Sequence, residues 1–327
     1  MSLQARIGVI GVGYIGETHV KAFQSVDEAR VVAISDVNSG RLAEIKDRYA
    51  IKAAYLDVGD MLRKARLDGV VIATPDHLHR APVQAAAEAG LPILLEKPIA
   101  TTLRDAEGII SAVERAGVKA VQAFVLRFEL PYVTLRQGFA SGAFGIPHTA
   151  YAARILNISQ ARRYNGRCSV NQYLACHDFD YLLWVMGTDV ESIYATRSDF
   201  RACEETGEAD SYWNLIRWKN GAAASVLTSW GLPENSPRGH WECRIIGTKG
   251  CGEVAGSRLR IFTDEMTDSI EDDPDADAYR DQAQAFVDVI QGRAEPRATL
   301  LDGLRAQKLT LAAEESTQTG QPVNVHL

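Results

Sequence analysis

Residues 6–16 read Arg6-Ile7-Gly8-Val9-Ile10-Gly11-Val12-Gly13-Tyr14-Ile15-Gly16. A short apolar run, Arg6–Ile10, ends in the spacing Gly-x-Gly-x-x-Gly and leads into a helix expected over Gly16–Ser25. Three glycines alone say little, but a strand before them and a helix after them give each one a task. Gly11 permits a tight turn. Gly13, followed by Tyr14 and Ile15, lets backbone N–H groups approach a pyrophosphate, and Gly16 lets the helix pack on the strand. The phosphates then lie at the positive end of the helix dipole. Asp36 follows twenty positions after Gly16 and closes a second apolar run, Ala29–Ser35. A carboxylate there accepts from the adenosine ribose hydroxyls and repels a 2′-phosphate, which favours NAD over NADP. Arg41, close by in sequence, works against that repulsion.

Outward from this stretch, strand and helix patterns alternate. Helices are expected over Gly40–Tyr49, Pro82–Ala89 and Leu103–Ala116, and strands over Gly69–Ala73, Pro92–Leu95 and Val118–Ala123. Such alternation implies right-handed crossovers and a doubly wound parallel sheet with helices on both faces, a Rossmann domain spanning 1–125. The pattern then changes. A helix over Tyr132–Ala140, a strand over His148–Leu156 and a bulky apolar helix over Tyr173–Met186 precede further strand candidates at Val190–Arg197, Ser211–Trp218, Ala223–Trp230, Glu242–Gly247 and Arg258–Phe262. Glycine turns such as Asn220-Gly221 among them imply a mostly antiparallel sheet. Helices at Ala278–Gln291 and Leu300–Ser316 close the chain. Residues 126–327 thus read as an α/β domain for substrate binding and oligomerisation, its last helix packing back toward the first domain.

Bulk properties exclude several classes of function. The chain has 327 residues and a formal charge of −7, without the basic face that nucleic acid requires. No apolar run approaches the ~20 residues needed to cross a bilayer. No basic segment followed by an apolar core opens the chain, so a cytoplasmic protein is expected. The five cysteines (Cys168, Cys176, Cys203, Cys243, Cys251) lack metal-type spacing and read as free thiols. Cys176 and His177 are adjacent, so on a helix they point in different directions, and no metal is expected.

Two segments carry chemistry on the ends of parallel strands, where open α/β sheets bind ligands. Ala73-Thr74-Pro75-Asp76-His77-Leu78-His79 follows one strand and Glu96-Lys97-Pro98 another. Thr74, Pro75, His79, Glu96 and Lys97 therefore lie on the cofactor side of the sheet. Lys97 can donate to a substrate oxygen, although an isolated lysine on a loop is commonly just solvated. A third segment, Cys176-His177-Asp178-Phe179-Asp180-Tyr181, sits on a mostly apolar helix, where a lone histidine is usually a core residue.

Together, the glycine fingerprint, Ala-Thr-Pro with His79, Glu96-Lys97-Pro98, and His177-Asp178-x-Asp180 ahead of Trp184 resemble the glucose–fructose oxidoreductase/inositol dehydrogenase/MocA family. Arg127-Phe128, the turn Gly142–Gly145 and the tail Gly320-Gln321-Pro322-Val323 are also similar to its pattern. The resemblance implies a Rossmann domain and a second domain on a large open sheet, whose exposed face forms a homodimer or homotetramer interface. It implies that the nicotinamide lies in the cleft between the domains. Lys97 matches the family's catalytic lysine, Pro98 a loop proline that often follows a cis bond, and His177 the active-site histidine.

One position departs from the family. Many sugar and inositol dehydrogenases carry an aspartate four residues before this histidine, where this chain has Tyr173. Asn171, Gln172 and Asp178 are candidate stand-ins. The arginines of Arg154-Ile155-Leu156-Asn157 and Arg162-Arg163-Tyr164-Asn165-Gly166-Arg167 fall where the family approaches its substrate, and guanidinium groups suit a carboxylate or phosphate. Arg154, Arg163, Tyr164, Tyr173 and Asp178 are accordingly the candidate substrate contacts. The expected activity is NAD(H)-dependent hydride transfer to or from a secondary alcohol or carbonyl of a sugar, polyol or sugar acid. Two rivals are a bound-NAD enzyme of elimination, hydrolysis or epimerisation, and a non-catalytic dinucleotide sensor.

Overall fold

Residues 4–236, 239–271 and 276–327 are described by the structure, a computed structural model. The chain divides into two compact units, Met1–Phe128 with Asp277–Leu304, and Glu129–Ala276 with Arg305–Leu327.

The first unit runs β1 (Ala5–Ile10), α1 (Tyr14–Gln24), β2 (Ala29–Ser35), α2 (Ser39–Arg48), β3 (Ala53–Tyr55), α3 (Val58–Lys64), β4 (Gly69–Ile72), α4 (Arg80–Glu88), β5 (Ile93–Leu95), α5 (Leu103–Ala116) and β6 (Ala120–Gln122). The strands form one sheet in the order β3-β2-β1-β4-β5-β6, and every pairing in it is parallel. This is the doubly wound dinucleotide-binding order, whose switch point falls between β1 and β4. Successive residues of each strand feed opposite faces. Ile7, Val9 and Val71 fill one core layer, and Ile10, Val70 and Ile72 fill the other. Short β3 and α3 went unread in the sequence because three and seven residues carry too little periodicity.

Sequence reasoning drew a single boundary after residue 125. In the structure the helix Ala278–Ile290 completes the first unit instead. Ala283, Phe286 and Val287 are buried in the same core layer as Ile7, Val9 and Phe23. The Phe23 and Phe286 rings meet edge to face, with centroids 6.2 Å apart. Apolar burial, not proximity in sequence, decides where this segment belongs.

The second unit contains α6 (Leu130–Ala140), β7 (Pro147–Asn157), α7 (Ile158–Tyr164), α8 (Cys176–Met186), β8 (Val190–Ser198), α9 (Arg201–Thr206), β9 (Ser211–Trp218), β10 (Ala223–Leu232), β11 (His240–Gly247), β12 (Gly250–Ala255), β13 (Arg258–Thr263) and β14 (Thr267–Glu271). The returning helix Ala278–Ile290 is α10; α11 (Leu300–Thr319) and β15 (Val323–Asn324) follow it. Nine strands form a sheet ordered β14-β13-β12-β11-β7-β10-β9-β8-β15. Only the β7–β10 pair among them is parallel. Gly221, at φ 89°, makes the turn joining β9 to its antiparallel partner β10.

The helix expected over Tyr173–Met186 begins earlier and differently. Asn171–Ala175 form a π-helical turn that runs directly into α8. No described helix is long and apolar enough to cross a membrane.

Phe286 tests the composition of the first unit. Phe286→Ala should destabilise it by about 3–5 kcal/mol, the usual cost of deleting a buried phenyl ring. Chemical denaturation followed by dinucleotide binding measures this, and an unchanged midpoint would remove the helix from that core.

Candidate functional site

In the first unit the glycine turn sits on the switch point. Gly11 has φ 83°, a left-handed conformation that favours glycine. A Cβ there would lie 2.6 Å from the Ala73 carbonyl oxygen, at the exit of β4. A Cβ on Gly16 would run into the Gly11 carbonyl, whereas one on Gly13 would meet nothing within 4 Å. Two glycines thus allow close packing, and the third leaves open space above the backbone. Gly13 caps α1 and no side chain caps that end, so N–H groups of the first turn are left for a ligand. Tyr14 is exposed, and Ile15 half-buried, on this turn. Asp36 braces the same loop: its carboxylate accepts from the Val12 N–H and the Asn38 N–H, both at 2.9 Å.

Arg41 does not reach out from this loop. Its Nε donates to the Val12 carbonyl at 2.8 Å, and its remaining nitrogens bind Glu17 and Glu44. Burial would raise the Glu17 carboxyl, but Arg41 and Arg48 hold it below the usual carboxylate range.

The β4 and β5 exits are tied together behind the turn. His79 is 1 % exposed; its Nδ1 lies 3.2 Å from the Ile99 carbonyl and its Nε2 3.1 Å from that of Thr74. Burial pushes its pKa down despite the carbonyls and the nearby Asp76 and Glu96, so the ring favours its neutral form. The neutral ring carries one N–H, so His79 donates to one of these two carbonyls and packs against the other. Pro75 is exposed, and the Thr74 Oγ1 is buried without a hydrogen-bond partner. Glu96 is buried against His19 of α1, with 2.7 Å between Oε1 and Nε2, and its other oxygen accepts the Lys97 N–H. Burial would raise the Glu96 carboxyl, yet His19 and Lys97 hold it below the usual carboxylate range. Gln122 donates to the carbonyls of both Leu95 and Glu96 at 3.0 Å. Lys97 is half-buried on this framework, and the Lys97–Pro98 bond is cis.

These residues fit a dinucleotide. The open space over Gly13, the uncapped N-terminus of α1, the carboxylate of Asp36 and the orphaned Thr74 hydroxyl face the needs of pyrophosphate and ribose. Sequence reasoning missed His19 and Gln122. A glutamate at a buried strand end requires a cationic or hydrogen-bonding partner, but only the fold shows that α1 supplies it.

In the second unit, His177 is half-buried at the start of α8, between the buried Cys176 and Asp178. Asp178 and Arg154 are brought together, but with each other: two bonds of 3.1 Å join the carboxylate to the guanidinium, both deeply buried. Burial would lower the Arg154 pKa, but Asp178 drives it upward. This pair pins α8 to β7 directly beside His177. Asn171 and Asn214 exchange amide hydrogen bonds of 3.0 and 3.1 Å, and Thr228 donates to Asn171 at 3.0 Å. That buried network, also missed in the sequence, fixes the π turn on the sheet. Tyr173 lies on the turn, its ring 4.3 Å from that of Tyr164. Burial and Tyr173 together push the Tyr164 hydroxyl well above its usual pKa. Arg163 is exposed, and neighbouring Arg162 is bound to Glu205 and Glu234. Among the described residues no group of three or more His, Cys, Asp or Glu is placed to hold a metal.

Two substitutions check these assignments. Arg154→Met strands a buried carboxylate and should cost about 3–5 kcal/mol of stability; a pure substrate contact would change KM and leave the melting temperature alone. Glu96 titrates lower in the folded state than in the unfolded chain. Its stabilising contribution is thus complete at neutral pH and lost as the pH falls below the carboxylate range. Glu96→Gln should flatten that limb of the acid-unfolding curve, and an unaltered limb would refute the brace.

The chain matches two models of one family: residues 5–124 match its NAD-binding Rossmann fold, and residues 170–325 its C-terminal alpha/beta domain. It is 28 % identical over 345 residues to the myo-inositol 2-dehydrogenase of Thermotoga maritima, covering 98 % of each chain. It is 29 % identical over 339 residues to inositol 2-dehydrogenase 1 of Saccharopolyspora erythraea, covering 99 % of this chain and 97 % of that one. A solved structure of scyllo-inositol dehydrogenase from Lactobacillus casei, with bound NAD(H) and scyllo-inositol, superimposes with a TM-score of 0.86 at 22 % identity, over 98 % of this chain and 99 % of that one. The fingerprint on its switch point, the open sheet beyond it and these matches make the chain a member of the GFO/IDH/MocA oxidoreductase family.

Proposed function

We infer that this protein is an NAD-dependent dehydrogenase that oxidises a secondary alcohol of a polyol, sugar or sugar acid, or runs the reverse reduction. The carrying observation is the braced Glu96-Lys97-Pro98 loop beside a dinucleotide turn, in a chain whose relatives include inositol dehydrogenases. NAD, when bound, supplies the hydride acceptor. Lys97 donates a hydrogen bond to the substrate oxygen and stabilises negative charge as the carbonyl forms. His177 accepts the hydroxyl proton, a role suited to an imidazole near neutral pH. One hydride and one proton leave the alcohol together, so a ketone results. Tyr173, Tyr164 and Arg163 are the proposed substrate contacts; Arg154 and Asp178 act by holding α8, and thus His177, in place.

The preference for NAD rests on Asp36 and on Arg41. The arginine is bound to Val12, Glu17 and Glu44 and leaves the carboxylate to face a ribose. We propose that the exposed face of the nine-stranded sheet pairs subunits into a dimer or tetramer. Tyr194, Leu215 and Trp213 lie partly exposed on it, and the row of Tyr194 and Leu215 continues in register to Arg244, Glu253 and Arg260 on the same face. Glu253 there binds both arginines.

NADH formation at 340 nm with a panel of inositols, aldoses and sugar acids tests the activity. Lys97→Met and His177→Asn should each lower kcat by about 10²–10⁴-fold, the usual share of a proton-transferring group, while NAD binding persists. Wild-type turnover in both variants would sink the assignment. NADP should be a poor substitute until Asp36→Ala relieves the repulsion, and equal use of both cofactors by the unaltered enzyme would overturn the preference. Trp213→Glu with Leu215→Lys should convert the oligomer to monomer in sedimentation velocity.

A further inference from the structure

A second concave surface lies on the first unit, running from the starts of β1 and β2 at Arg6 and Arg30 to Tyr55 at the end of β3. It is a groove of about 490 Å³ lined by ten residues, five of them cationic (Arg6, Arg30, Lys52, Lys64, Arg66) and none acidic. That composition stands out in a chain of net charge −7. Two of the cations have ordinary explanations. Lys64 closes the last turn of α3 and pairs with Asp60 at 3.0 Å, and Lys52 guards the edge strand β3.

The arginines do not. Arg6 and Arg30 are direct partners in the parallel register of β1 and β2, where like charges cost stability. The Arg6 Nε donates to the Arg66 carbonyl, which holds the guanidinium in a fixed position. Among the described residues, Arg30, Lys52 and Arg66 form no ion pair. Arg30 precedes Asp36 by six residues, about 20 Å along the strand, so the arginines stand well away from Asp36, although Tyr55 at the other end of the lining accepts the Asp36 N–H at 3.2 Å.

We propose that this groove binds a small, multiply phosphorylated anion at a site separate from the dinucleotide. The volume suits a metabolite rather than a single ion. Guanidinium forks bind phosphate oxygens in pairs, and several cations spread over one groove match several phosphates better than one. Tyr55 adds a ring and a hydroxyl to the lining. Occupancy relieves the repulsion between Arg6 and Arg30, so the ligand stabilises the sheet that carries the glycine turn.

Calorimetric titration of inorganic tripolyphosphate into the full chain tests this, with NAD kept saturating so that the glycine turn is occupied. One saturable event is expected, weakened by salt. Arg30→Gln with Lys52→Gln should weaken it by about tenfold or more, with unchanged NAD affinity and a melting temperature at or above that of the unaltered protein, since the Arg6–Arg30 repulsion is removed, and Arg66→Gln should weaken it independently. These exposed residues are chosen over Arg6, which is hydrogen-bonded into the structure. Absence of saturable binding, or full affinity in both variants, overturns the site. Citrate binding as tightly as tripolyphosphate overturns the assignment to phosphates.

Discussion

Where Gly11 presses on the carbonyl of Ala73, two strands that belong to different halves of the parallel sheet are locked at their exits. No side chain fits there, and the turn cannot relax without parting β1 from β4. The functional loops of the unit are referenced to this contact. Asp36 ties the end of β2 to Val12, one residue beyond Gly11. His79 ties the β4 loop to the segment after β5. Glu96 reaches across to His19, in the second turn of the helix that the glycines start. Hydrogen bonds through Glu96 and His19 thus connect the backbone of Lys97 to the helix that begins at the turn.

The second unit orders its functional helix by polar means inside an apolar shell. The Arg154–Asp178 pair and the Asn171–Asn214–Thr228 network lie beneath the segment that carries Tyr173 and His177. Buried polar groups of this kind are costly unless satisfied, and when satisfied they discriminate sharply among packings. The π turn has a related effect, since one extra residue per turn re-aims Tyr173 relative to His177. A second ring, Tyr164, supports the tyrosine there.

The parallel sheet was legible because its signals are local: a glycine spacing, an acid twenty residues on, and strands with uninterrupted apolar runs. Lys97 and His177 stand out in the sequence for the same reason, since each lies in a short motif. What could not be read depends on partners distant in sequence. His19 looks like any helical histidine until the fold sets it against Glu96, 77 positions away. Arg154 shows nothing in the sequence of its buried ion pair with Asp178, 24 positions away. The π turn left no mark in the periodicity, because its extra residue is absorbed within an otherwise apolar helix.

The dinucleotide unit is discontinuous along the chain, and this bears on how the protein is made. Its sheet is fully synthesised by residue 122, but the helix bearing Phe286 emerges only after roughly 160 further residues, about 8–30 s of translation at ordinary rates. During that interval Ile7, Val9 and Phe23 have the cover of α1 and α2 but lack the part that Ala283, Phe286, Val287 and Val289 supply. The nascent core is thus left with an incompletely covered apolar patch until the late helix is made. Only when the late helix docks does the glycine turn rest on a finished core, so the ability to bind cofactor is acquired near the end of synthesis rather than at its start.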